Sequence, residues 1–177
     1  MLLTAPTKAV SINFGMKMPS WFDIKDFNIT PENFDKCIGV DEIEANAKRI
    51  TAVLDQELKE LDGNSQNLFI GGFSQGACMA LHIGLQYPKP LGGILVFSGF
   101  GFPITKELKE NGSVPIFISH GEADPLLPYK RCSLTHANLE NKVRTVTKVI
   151  VPNLGHSIDI KILTEANTFF KTALKKK

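Results

Sequence analysis

Between residues 40 and 62 the apolar positions Ile43, Ala47, Ile50, Leu54, Leu58 and Leu61 recur at spacings of three and four. That spacing stacks them on one face and predicts a helix. Asp41 and Glu44 stand at capping-box spacing near its start, and Gly63 supplies a stop. Residues 67–72 then carry an apolar run too short for a helix, whereas residues 75–87 are apolar on most sides and end at Pro88, which predicts a buried helix. Residues 93–97 and 114–119 read as further buried strands. Residues 143–151 are rich in β-branched side chains and read as another. A helix is expected over 130–141. A last one runs from about Ile158, with Leu163, Ala166, Phe169, Phe170, Ala173 and Leu174 on its apolar side.

Buried strands alternating with helices predict an α/β fold, a mostly parallel sheet with helices on both faces. In such sheets active sites gather at the carboxyl ends of the strands. With 177 residues and no repeat, linker or low-complexity tract, residues 1–177 read as a single domain. The near-ionisable-free stretch from Asp62 to Lys89 is interrupted by Gly71, Gly72, Ser74, Gln75, Gly76 and Gly84. It therefore reads as strand, turn and buried helix rather than a stable membrane insertion. A net charge of +2 with scattered basic residues gives no reason to expect nucleic acid, and the closing Lys175-Lys176-Lys177 reads as a solvated tail. Cys37, Cys78 and Cys132 are widely spaced and suggest neither a zinc site nor a disulfide framework. With no secretory signal visible, the expected compartment is the cytoplasm.

Gly72-Phe73-Ser74-Gln75-Gly76 matches G-x-S-x-G, the sharp strand-to-helix turn that exposes a nucleophilic serine. Side chains at the flanking glycines would collide with the adjoining strand or helix. The pattern arises by chance in a chain of this length roughly 5% of the time. Its place between a buried strand and a buried helix is what gives it weight. A Walker A reading fails, because Ala77-Cys78 stand where Lys-Ser/Thr is required.

A serine hydroxyl needs a base to take its proton and a carboxylate to orient that base, in the chain order Ser, Asp/Glu, His. His156 follows a predicted strand and precedes the last helix, where a loop can lower an imidazole onto Ser74. His136 falls inside a predicted helix and reads as a surface residue, His82 as a packed one, and His120 as shaping its own turn. The acid is Glu122 or Asp124; Pro125 holds Asp124 extended and off a helix, which favours it modestly.

Gly-Phe-Ser-Gln-Gly at 72–76, His-Gly-Glu-Ala-Asp-Pro-Leu-Leu-Pro at 120–128, Gly-His-Ser at 155–157 and Met-Pro-Ser-Trp-Phe-Asp at 18–23 together resemble the acyl-protein thioesterase family, also called phospholipase/carboxylesterases. The resemblance implies an α/β-hydrolase fold, assigns Asp124 as the triad acid beside Ser74 and His156, and makes the backbone N–H of Gln75 one oxyanion-hole donor. It implies hydrolysis of long-chain acyl thioesters and esters, S-acylated proteins above all, with no metal or cofactor. Trp21, Phe100, Phe102, Leu126 and Leu127 lie beside loops at the catalytic end and are candidates for the acyl-chain pocket, each also explicable as core. The family's second oxyanion donor lies in an upstream H-G-x-G-D-type loop that this sequence lacks. An N-terminally truncated domain is therefore expected, opening on a strand at residues 1–5. Two alternatives remain: a carboxylesterase or lysophospholipase acting on small or lipid esters, and an inactive acyl-binding remnant.

Overall fold

The computed structural model describes residues 1–106, 112–142 and 145–175. They divide into two compact units, Met1–Ile50 and Thr51–Lys177.

In the first unit, β1 (Thr7–Val10) and β2 (Met16–Pro19) form an antiparallel hairpin. The expected strand at residues 1–5 is not formed; the chain is irregular until Thr7. Pro6 explains part of this, since it has no N–H to give a ladder. Asp23 ties the unit together, accepting from Ser11 N–H at 2.7 Å and from the Ser11 hydroxyl at 2.5 Å. A short helix α1 (Phe34–Cys37) precedes α2 (Val40–Glu60), whose residues from Thr51 onward belong to the second unit. Helix α2 starts two residues ahead of the capping-box register, with Gly39 O accepting from Glu42 and Ile43 N–H, so Asp41 lies inside the first turn. Its apolar stripe is as expected: Ile43, Ile50, Leu54 and Leu58 are buried. The helix ends where Gly63, at φ +77°, donates to Leu58 O.

The second unit is built on a four-stranded, wholly parallel sheet in the order β3 (Phe69–Phe73), β4 (Gly93–Phe97), β5 (Ile116–Gly121), β6 (Val146–Val151). Helices α3 (Gln75–Gln86), α4 (Tyr129–Lys142) and α5 (Ile160–Lys175) follow β3, β5 and β6. Alternation along the strands separates two faces. Leu95, Phe97 and Phe117 turn towards α5, meeting Ile162, Ala166 and Phe169. Ile70 and Ile94 turn the other way, against Gly84 of α3. Every residue of β5 is buried, as a central strand covered on both faces should be.

Two expectations need correction here. Helix α5 is rotated by about one residue from the predicted face: Ile162 is fully buried, whereas Leu163 is 51% exposed and Phe170 and Leu174 are each 38% exposed. Its start explains the shift, since Asp159 caps the helix by accepting from Ile162 N–H at 2.8 Å. His136 is not on the surface. It shares the buried stripe of α4 with Cys132 and Leu139, and its Nε2–H donates to Gly99 O at 3.0 Å. Residues 143 and 144, which open the strand expected at 143–151, lie outside the described residues, as do 176 and 177 of the basic tail.

Burial pushes the His136 imidazole down to about 4. Between an ordinary histidine value and that one, the unfolded chain takes up a proton that the folded chain refuses. Stability is thus complete above about pH 6.5 and is lost as pH falls towards 4. Going from pH 7 to pH 5 should cost about 2 kcal/mol through this residue. His136→Gln, which keeps a donor for Gly99, should flatten the pH dependence of the urea midpoint. Equal slopes in the two proteins would clear His136 of the effect.

Candidate active site

Strand β3 runs into α3 through a single residue, Ser74, at φ +54° and ψ −120°. A side-chain-bearing residue seldom occupies that region, and its appearance here stores strain at one point of the backbone. The turn is held from both sides. Ser74 N–H donates to Phe97 O on β4 at 2.9 Å, and Ser74 O accepts from Ala77 and Cys78 N–H at 3.0 and 3.2 Å to begin the helix. Although Ser74 occupies the N-cap position, its hydroxyl makes no capping bond, so it is not consumed by the helix. A Cβ at Gly72 would overlap the Gly76 carbonyl and Ala77 N. The glycine two before the serine is therefore required by the closeness of the helix backbone. Gln75 is the first residue of α3, where backbone N–H groups lack intrahelical acceptors.

The loop after β5 carries Asp124, 4% exposed. Its Oδ1 accepts from the backbone N–H groups of Leu126 and Leu127 at 2.9 and 2.8 Å, and its Oδ2 accepts from His156 Nδ1 at 2.6 Å. Two amide donors on one oxygen and an imidazole on the other suit an ionised carboxylate. Glu122, the other carboxylate of this stretch, is exposed. His120 is fully buried at the end of β5 and donates from Nε2 to Leu127 O at 2.8 Å, with Asp124 Oδ2 3.4 Å away. It braces the turn that presents Asp124. Burial pushes its imidazole below the ordinary value, which favours the neutral form needed for that role.

His156 hangs from the loop after β6. Pro152 ends the strand, and Asn153 turns the chain at φ +61°. This loop and the one after β5 are laced together by Glu122 N–H to Val151 O and Ala123 N–H to Leu154 O, both 3.0 Å. A Cβ at Gly121 would overlap the carbonyls of Leu154 and Gly155, so the approach demands glycine there. The His156 ring also packs on Phe73, with centroids 4.8 Å apart, which places the imidazole beside the turn that carries Ser74.

The pocket candidates fare unequally. Phe102 is 4% exposed and packs its ring on His82 and Phe100 as core. Phe100 and Leu127 are half-buried, and Leu126 is 54% exposed beside Asp124. Trp21 lies in the first unit, where the Arg49 guanidinium sits 5.7 Å from its ring and Asn46 donates to its carbonyl at 2.7 Å. Cys78 and Cys132 are buried thiols pushed up to about 12 by desolvation, which leaves them protonated and unreactive. Among the described residues no group of three His, Cys, Asp or Glu side chains is arranged to hold a metal ion, and no helix is long and apolar enough to cross a membrane.

A profile of the family described as "Phospholipase/Carboxylesterase" matches residues 1–174. The chain belongs to the phospholipase/carboxylesterase family. Among its relatives, a probable carboxylesterase of Oryza sativa subsp. japonica is 36% identical over 177 residues, covering 97% of this chain and 65% of its own length. An acyl-protein thioesterase 1 of Gibberella zeae is 31% identical over 179 residues, covering 98% of this chain and 76% of its own length. The chain thus spans about two thirds to three quarters of these phospholipase/carboxylesterase relatives. The crystal structure of Arabidopsis thaliana SOBER1 superposes with a TM-score of 0.81 at 30% identity, over 97% of this chain and 81% of that one. Its family neighbours are α/β-hydrolases, and the parallel sheet with surrounding helices fits that fold.

Phe73 and the Leu126 and Leu127 amides have no role in the sequence reading, which places His136 on the surface rather than in the core. The amides leave no trace in side-chain chemistry. His136 was findable, because Cys132, His136 and Leu139 repeat at four and three.

Proposed function

We propose that this chain is a serine hydrolase that cleaves acyl thioesters and esters through a covalent acyl-enzyme, with S-acylated proteins as the substrate class. Ser74 is the nucleophile, His156 the general base and Asp124 the group that orients it. The observation that carries the reading is the 2.6 Å bond from His156 Nδ1 to a carboxylate pinned by two backbone amides, next to a serine at φ +54°. A carboxylate held in that way fixes the Nδ1–H tautomer and leaves Nε2 with the lone pair that a base needs.

In the first half-reaction Ser74 Oγ forms a bond to the acyl carbon while its proton passes to His156. The tetrahedral oxyanion is met by the backbone N–H of Gln75 at the start of α3. Collapse breaks the carbon–sulfur or carbon–oxygen bond, and the imidazolium returns the proton to the leaving group. Water, deprotonated by the same imidazole, then repeats the attack and frees Ser74. Asp124 stays ionised throughout and stabilises the imidazolium. Only the neutral His156 ring, with its Nε2 lone pair free, can take the serine proton. No bound metal or cofactor enters any step.

Leu126, Leu127 and Phe100 are the apolar side chains we assign to the acyl chain. S-palmitoyl peptide hydrolysis measured beside a series of oxygen esters tests the substrate class. Rates should climb with acyl length, each buried CH₂ contributing at most ~0.8 kcal/mol. A flat response from two to twelve carbons would transfer the assignment to a carboxylesterase of small esters.

A further inference from the structure

Phe73 is the one residue of the Gly72–Gly76 turn for which neither the turn geometry nor the proposed chemistry supplies a role. It ends β3 and leaves 38% of its surface to water, so core filling does not account for it. Its ring centroid lies 4.8 Å from that of His156, with the planes inclined at 44°. That separation falls within the range over which aromatic rings attract one another.

We infer that Phe73 is a positioning residue for His156, holding the imidazole in its working plane and steadying it while it carries the proton taken from Ser74. The inference rests on the proposed triad and deepens it. His156 sits on a loop, and among the described residues its ring has one hydrogen bond, from Nδ1 to Asp124. One hydrogen bond leaves a ring free to pivot about that bond; a second contact on the ring face removes the freedom. The Phe73 face also carries the negative part of the aromatic quadrupole, which attracts a cation lying within about 6 Å of its centroid. The imidazole is cationic only between proton uptake and proton return, so this attraction strengthens as the transition state forms and leaves substrate binding alone. Phe73 directly precedes Ser74 in the chain, so the serine's own strand sets the placement of the base.

Among the described residues, the ionisable groups that face the imidazole from the elements around it are Asp124 and His120. Both are retained in Phe73 variants, which isolates the ring. Phe73→Leu keeps the apolar volume and removes the aromatic face; Phe73→Tyr restores the face. With an ester substrate, Phe73→Leu should lower kcat by about two- to fivefold with KM unchanged, and Phe73→Tyr should bring kcat back. Proton NMR supplies an independent reading. The His156 ring protons should shift downfield in Phe73→Leu as the ring current is lost, and stay in place in Phe73→Tyr. An unchanged kcat in Phe73→Leu, or a raised KM at unchanged kcat, would overturn the inference, the latter by making Phe73 a substrate contact. A fluorophosphonate probe separates this from failure of the triad itself. If wild-type protein is not labelled at Ser74, or is labelled without His156, the triad reading falls. The ring-current shift would then still report whether the Phe73–His156 contact exists. Should Phe73→Leu prove too unstable to assay, Phe73→Ile makes the same comparison.

Discussion

Ser74→Ala should abolish both ester hydrolysis and fluorophosphonate labelling, and His156→Ala should do the same. The loss should approach the roughly 10⁶-fold seen when a member of such a unit is removed, and the double variant should be little worse than either single one. Non-additivity is the informative part. A serine that reacted through strain or helix-terminal field alone would lose only part of its rate with His156 gone. The position of Ser74 argues that its replacement will be structurally mild. The hydroxyl caps nothing, and the turn is held by backbone bonds to Phe97, Ala77 and Cys78 that alanine keeps. Melting temperatures of the variants should accordingly stay close to wild type while turnover vanishes. Labelling that survives in Ser74→Ala would sink the nucleophile assignment.

Asp124→Asn should lower kcat by about 10⁴, because the amide can present an N–H where Nδ1–H needs an acceptor and so favours the wrong tautomer. Its structural cost should also be real, since Asp124 Oδ1 organises the Leu126 and Leu127 amides. Glu122→Gln is the matched control, at an exposed position two residues away. It should leave kcat within about twofold, as surface changes remote from the chemistry commonly do. A crippled Glu122→Gln beside a mild Asp124→Asn would reverse the assignment. The two variants differ from wild type by one charge each, so a general field effect would move both.

The sheet and most of its helices were legible because burial leaves its mark on residue type. The apolar runs at 93–97 and 114–119 and the stripe of α2 are patterns that only a packed interior requires. The pattern misled where a local bond fixed the phase. In α5 the sequence offers apolar residues on two adjoining faces, and the Asp159 cap decides which is buried. The hairpin Thr7–Pro19 was missed because its strands are four residues each and largely exposed, too short for a buried apolar run to mark them. The candidate site divides in the same way. Ser74, Asp124 and His156 could be named because their chemistry demands particular residue types in a particular order. Phe73 could not, since its contact with His156 joins the ends of β3 and β6, which are not neighbours in the sheet.

The lacing between the loops after β5 and β6 also constrains how this chain can vary in length. Glu122 and Ala123 donate to Val151 and Leu154, and Gly121 lies against the Leu154 and Gly155 backbone with no room for a side chain. One residue inserted into either loop would shift every rung by a position and carry His156 away from Asp124. Insertions and deletions at the carboxyl end of this sheet are therefore confined to segments outside 121–124 and 151–156. Among descendants of this gene, these two stretches should keep their count even where residues other than Gly121, Asp124 and His156 change type.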